Sequence, residues 1–228
     1  MQRPINILTR LRFLRRKERY SLTVSGWGII LVLLLAISAL VVHNLNSFLS
    51  PVRPVKSDVL VVEGWVPDYA FHQAIHDFRA GRYRMILVTG GPLEKGFFLS
   101  QYKSEARLGA ATLIAQGVGR DSVTAIPSPF VIKDRTYESA LALRRWIDSL
   151  HAPISSFNIF TLGAHGRRTW MLFNEALGDR SRIGIISAVD SSFDSRHWWT
   201  SSQGVRIVID ESIAYLYAKL LFHPPNRN

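Results

Sequence analysis

Residues 58–91 read DVLVVEGWVPDYAFHQAIHDFRAGRYRMILVTGG. The first five, DVLVV, are β-branched and aliphatic with no polar alternation, the composition of a strand buried on both faces of a parallel sheet. Pro67 and Asp68 then open a helix. Phe71, Ala74, Ile75 and Phe78 recur along it at helical spacing on one face, and Gly81 closes it. MILVT at 85–89 repeats the buried-strand composition and runs into the turn Gly90-Gly91-Pro92. Strand, amphipathic helix and strand in so short a stretch make a βαβ unit.

The same alternation continues downstream. SEARLGAATLIAQ at 104–116 is a second helix closed by Gly117, and 123–126 is a short strand. Residues 136–150 form a third helix, and FNIFTL at 157–162 a fourth strand. Residues 168–177 are a helix ending at Gly178, IGIISA at 183–188 is a fifth strand, and 205–222 a last helical segment after a polar, aromatic loop. This order, with short connections and no internal repeat, predicts an α/β fold. Its core is a mostly parallel five-stranded sheet with helices on both faces.

Upstream the composition changes. Residues 27–42, WGIILVLLLAISALVV, carry no charge, and neither Asp, Glu, Lys nor Arg occurs from 21 to 52. The apolar stretch 26–42, extended by Leu45, Phe48 and Leu49, reaches the roughly 17–25 residues that cross a bilayer, without the polar stripe of a soluble amphipathic helix. The net charge of +11 over 228 residues invites a nucleic-acid reading. Seven of the bases, against one acid, stand before residue 21 (Arg3, Arg10, Arg12, Arg15, Arg16, Lys17 and Arg19 with Glu18), beside the apolar stretch. Membrane topology explains that placement and no nucleic-acid partner is required. The long tail, an apolar run beyond the roughly 7–15 residues of a signal peptide core and the lack of a good A-x-A site favour an uncleaved anchor. The absence of cysteine is compatible with an oxidising compartment. The expected organisation is a basic cytoplasmic tail at 1–20, a transmembrane anchor at 21–49, a linker at 50–57 bearing Pro51 and Pro54, and an α/β domain at 58–228. That domain would lie on the periplasmic or extracytoplasmic side of the inner membrane.

Ligands of open α/β sheets bind beyond the carboxyl ends of the strands, which selects the residues to weigh. Three strand ends carry Glu63-Gly64-Trp65, Gly90-Gly91 and Gly163-Ala164-His165-Gly166-Arg167-Arg168. Glycine lets a backbone approach closely, and a following helix N-terminus favours an anion. His165 and Arg168 stand three apart at a helix start, where Arg168 could grip an anion bidentately while His165 moves a proton. Arg135, Thr136 and Glu138 precede or open the third helix at the same edge. Thr136 reads as its N-cap, and Arg135 and Glu138 either pair with each other or supply charge to the site. His165, Glu138 and Glu63 are thus the candidate catalytic residues. Gly64, Gly90, Gly91, Glu105, Arg135, Thr136 and Arg168 are the candidate ligand contacts.

Taken in order, a glycine after strand one, Gly90-Gly91, Ser104-Glu105-Ala106, Arg135-Thr136-x-Glu138 and His165-x-x-Arg168 resemble the YdcF/SanA/ElyC-like family, over about 58–188. Glu63-Gly64-Trp65 stands where that family has several glycines, and Ser139 where an Asn commonly follows the Glu. The resemblance implies a three-layer Rossmann-like sandwich and a role in envelope biogenesis. Members have been linked to peptidoglycan and its lipid carrier, and a cytoplasmic one to S-adenosylmethionine.

No G-x-G-x-x-G follows the first strand, no P-loop and no G-x-S-x-G elbow occurs, and no cofactor is named by motif. His72 and His76 have chelating spacing, but Gln73 stands where a zincin has Glu, so a solvated face is expected and no metal set is assigned. Trp198-Trp199 either caps the core, stacks on a sugar or sits at a membrane interface. Two functional classes remain: an enzyme on an anionic, phosphorylated or glycosyl-lipid envelope intermediate, or a non-catalytic binding or scaffold module. A carboxylate within hydrogen-bond reach of His165 favours the first.

Overall fold

The computed structural model describes residues 22–150, 154–178 and 181–224, which divide into two compact units between Leu40 and Val41. The basic tail lies outside the described residues. Helix α1, Val24–Leu49, begins in the first unit and ends in the second. Its 26 residues rise about 39 Å, enough for a hydrocarbon core of roughly 30 Å. Apolar side chains from Trp27 to Val42 are exposed all around it. By length and composition the helix can cross a membrane, and a signal sequence has the same properties.

The second unit is α/β. Its strands are β1 (Val52–Arg53), β2 (Val59–Glu63), β3 (Met85–Gly90), β4 (Val123–Pro127), β5 (Ser156–Leu162) and β6 (Arg182–Ala188). The helices after α1 are α2 (Asp68–Ala80), α3 (Glu105–Ala115), α4 (Arg135–Asp148), α5 (Gly166–Leu177) and α6 (Ser202–Leu220). The expected alternation is thus present in order, but the sheet is not five parallel strands. It has six, in the order β1-β6-β5-β2-β3-β4, and β1 runs antiparallel to β6, with Val52 opposite Ile186.

The added strand comes out of the expected linker. Pro51 and Pro54 bracket the pair Val52-Arg53, and a proline-flanked strand is tolerated only at an edge, where a missing N–H costs no ladder bond. Asn158, buried in β5, fixes the chain just beyond this strand. Its Oδ1 accepts from Val55 N at 2.7 Å and its Nδ2 donates to Val55 O at 2.8 Å. Composition marks this segment as a spacer because two residues carry no periodicity.

The two faces of the sheet bury alternate residues, as a period of two requires. Val59, Val61, Leu87, Ile159 and Ile185 pack with Tyr137, Leu143, Leu172 and Phe173 of α4 and α5. Leu60, Val62, Ile86, Val88 and Phe160 pack with Phe71, Ile75, Ala110 and Leu113 of α2 and α3. Helices on both faces explain why every position of β2 is buried. From β2 the chain adds β3 and β4 on one side, then returns to place β5 and β6 on the other. The carboxyl ends of β2 and β5 therefore flank the switch in strand order, where such sheets bind ligands. Those ends are Glu63 and Leu162.

Candidate functional site

Glu63 ends β2 with its carboxylate almost fully buried. A buried carboxylate needs donors, and two threonines supply them. Thr161 Oγ1 on β5 and Thr169 Oγ1 on α5 both donate to Glu63 Oε2, the latter at 3.2 Å. His165 closes the short turn Gly163–His165 that joins β5 to α5. Its Nε2 lies 3.7 Å from Glu63 Oε2 and is buried with no hydrogen-bond partner among the described residues. The Trp65 ring stands edge-on to the imidazole, with centroids 4.8 Å apart.

The other ring nitrogen is held. His165 Nδ1 is 2.8 Å from Glu211 Oε1, and Glu211 lies near the middle of α6. Arg168, one turn into α5, grips the same carboxylate with both arms of its fork, Nε to Oε2 and Nη2 to Oε1, each at 3.0 Å. Its Nη1 donates to Thr136 Oγ1 at 3.4 Å. Arg168 Nη2 is also 2.9 Å from His165 Nδ1. A protonated Nδ1 donates to Glu211, and an unprotonated one accepts from Arg168, so only one of the two bonds exists at a time. Burial raises the pKa of Glu211, but the hydrogen bonds and charges of His165 and Arg168 outweigh it and hold the carboxyl at about 2. Glu211 is thus an anion that fixes an imidazole and a guanidinium together. With Nδ1 pinned by Glu211, Nε2 is the nitrogen left to take or give a proton, which is a base-and-orienter pair.

The expected site residues separate into three groups. Glu63, His165, Arg168 and Thr136 come together. Gly64, Gly90, Gly91 and Glu105 meet instead where α3 crosses the strand ends. A Cβ on Gly64 would sit 2.4 Å from the Glu105 carbonyl, and one on Gly90 2.7 Å from Glu105 Cβ. Glu105 N donates to Gly91 O at 2.8 Å. Gly64 and Gly90 let helix α3 approach, where the sequence suggested a ligand. Half-buried Glu105 has its pKa raised by desolvation. The third pair lies outside both groups: Arg135 bonds exposed Glu94, and Glu138 bonds Arg145 at 2.6 Å. Arg135 and Glu138 therefore do not pair with each other.

A local expectation also changes. Thr136 is not the N-cap of α4; Asp134 is, in a left-handed conformation with φ 59° and no side-chain cap bond. His165 does occupy the N-cap position of α5, yet its side chain makes no cap bond and is committed to Glu211.

Sequence reading missed Glu211, Thr161 and Thr169. Glu211 carried a signal: the inward positions of α6 run Gly204, Val208, Glu211, Tyr215, Ala218, so one carboxylate falls on an otherwise small or apolar face. Asp190, buried beyond β6, was missed too. It accepts from Tyr69 Oη at 2.8 Å, and burial followed by this bond pushes the Tyr69 pKa up to about 12.

Trp198 is a core cap. It is buried, and its Nε1 donates to Val42 O at 3.0 Å, while Trp199 stays half-exposed beside His43. Among the described residues no group of three or more His, Cys, Asp or Glu is placed to hold a metal. His72 and His76 are exposed on α2 and line an open depression of about 550 Å³ away from the cluster. Protein-family models give no match to this chain, and curated proteins give no significant match.

Proposed function

We propose that this chain is an inner-membrane-anchored envelope protein whose Rossmann-like domain binds and processes an anionic ligand, a phosphorylated or glycosyl-lipid intermediate, with His165 as general acid or base. The observation carrying this reading is the Glu211–His165–Glu63 line. One ring nitrogen is held at 2.8 Å by a carboxylate, and the other is unpartnered 3.7 Å from a second carboxylate. Such pairing positions a base for proton transfer and contributes on the order of 10²–10⁴-fold in rate. The strand order supports the Rossmann-like reading, and the cluster sits at the switch. The ordered motifs resembling YdcF/SanA/ElyC-like proteins support the envelope role. Arg168 acts here by positioning His165 and Glu211, since its fork is already filled.

In this reading α1 spans the membrane with the basic tail cytoplasmic and the domain extracytoplasmic. Reporter fusions after the C-terminus test it; a reporter active only in the cytoplasm overturns it. The full chain, assayed against polyprenyl phosphates, polyprenyl pyrophosphates and sugar phosphates, should release phosphate or show a thermal shift with at least one class. Silence across the panel removes the ligand class.

A non-catalytic scaffold is favoured by one observation: Val205, Ile209, Ile213, Leu216 and Leu220 form an exposed apolar stripe along α6. That reading expects His165→Ala to complement a deletion strain fully.

A further inference from the structure

The carboxyl edge of the sheet carries a second feature that the His165 cluster does not use. Past β3, loop 92–104 exposes Phe97, Phe98 and Leu99, the last two 93% and 95% accessible. Past β4, loop 128–134 exposes Phe130 and Ile132 at 75% and 92%. A cluster of exposed side chains of this size marks an interaction surface.

The two loops are neighbours at the carboxyl edge. Ser128 N donates to Gly90 O at 3.0 Å, and Arg135, directly after the second loop, pairs with Glu94 in the first. The tips are held outward. Lys103 Nζ donates to the carbonyls of Phe97 and Phe98 at 2.7 and 3.4 Å and lies 5.0 Å from the Phe97 ring centre. Around them stand four exposed bases, Lys95, Lys103, Lys133 and Arg135, against Glu94 and Asp134. Aromatic and aliphatic tips inside a basic rim complement an anionic lipid surface, where rings seat at headgroup depth and cations meet phosphates. A second copy would bring two basic rims together, which like-charge repulsion disfavours.

Residues 41–49 of α1 meet the domain at this same edge. Leu49 packs with Ala164, just past β5, and Pro51 O accepts from Ser187 Oγ near the end of β6 at 2.8 Å. From there β1 runs back along β6.

We propose that loops 92–104 and 128–134 form a lipid-contacting face that seats the carboxyl edge of the sheet on an anionic bilayer surface. This rests on the reading of α1 as a membrane anchor. Because the chain has no cysteine, single thiols report cleanly. Phe98→Cys, Ile132→Cys and, as a control on the opposite edge, exposed Asp121→Cys are each labelled with an environment-sensitive fluorophore in the full chain. The chains are then reconstituted into phosphatidylethanolamine–phosphatidylglycerol vesicles. Labels at 98 and 132 should shift to the blue and be quenched at least about twofold more by headgroup-level nitroxide lipids than the label at 121. Labels at 98 and 132 that behave like 121 overturn the proposal, and so does a blue shift without lipid quenching, which means a protein covers the loops. A chain that fails to float with the vesicles refutes the anchor, and this inference falls with it.

Discussion

The carboxyl edge of one sheet holds two regions built on opposite terms. At β2 and β5, Glu63, His165, Arg168 and Glu211 lie mostly buried, and nearly every polar atom is paired. At β3 and β4 the loops expose apolar side chains, and the charged pair Arg135–Glu94 sits in solvent. In a low dielectric a charge network is strong when complete and costly when one member is removed, whereas an exposed pair is screened and cheap to lose. The same residue type, an arginine on a glutamate, should therefore matter greatly in one region and little in the other.

Glu211→Ala should show the largest effect. It strands Arg168 and His165 without their anion and should cost about 2–4 kcal/mol, somewhat below the range for fully buried pairs. Thermal unfolding of the full chain in mild detergent reads it. A loss below about 1 kcal/mol would make the two regions equivalent.

The same group sets an acid limit. The Glu211 carboxyl is held at about 2 against an ordinary 4.5. A depressed folded pKa gives stability that is fully present above the unfolded value and is lost as pH falls through the folded one. Stability should therefore fall by on the order of 3 kcal/mol between about pH 4.5 and 2. Glu211→Gln should flatten that segment of the curve. An unchanged slope in the variant assigns the acid sensitivity elsewhere.

Gly64→Ala sharpens the boundary between the regions, because its Cβ would meet the Glu105 carbonyl at 2.4 Å. Overpacking against backbone should cost about 1–3 kcal/mol, read by the same unfolding experiment. Arg135→Ala should be smallest, within about 0.5 kcal/mol, and a larger loss would mean the exposed pair is not screened.

The order of strands and helices was legible in the sequence because the core strands are apolar runs and each helix has one apolar face. The edge strand Val52–Arg53 was not, since two residues carry no period and the chain beyond them is held by Asn158, about a hundred positions away. His165, Arg168 and Glu63 were legible from the carboxyl-edge rule alone. Their partner Glu211 was not, because α6 reaches the cluster from the far end of the chain and only its inward periodicity marks it. Arg135 and Glu138 read as site residues because sequence proximity to an edge says nothing about the direction of a side chain. Gly64 and Gly90 mislead for a related reason: the glycines do mark a close approach, but the approaching group is helix α3.

The most direct test compares turnover with binding for His165→Ala in the full chain, using whichever polyprenyl or sugar phosphate the wild type cleaves. A general acid or base held by Glu211 predicts a loss on the order of 10²–10⁴-fold in kcat with ligand binding retained and the domain still folded. Glu211→Gln should show a smaller loss and an altered pH profile. Turnover unchanged in His165→Ala, with the domain folded, would contradict the assignment of His165 as the proton-transfer group.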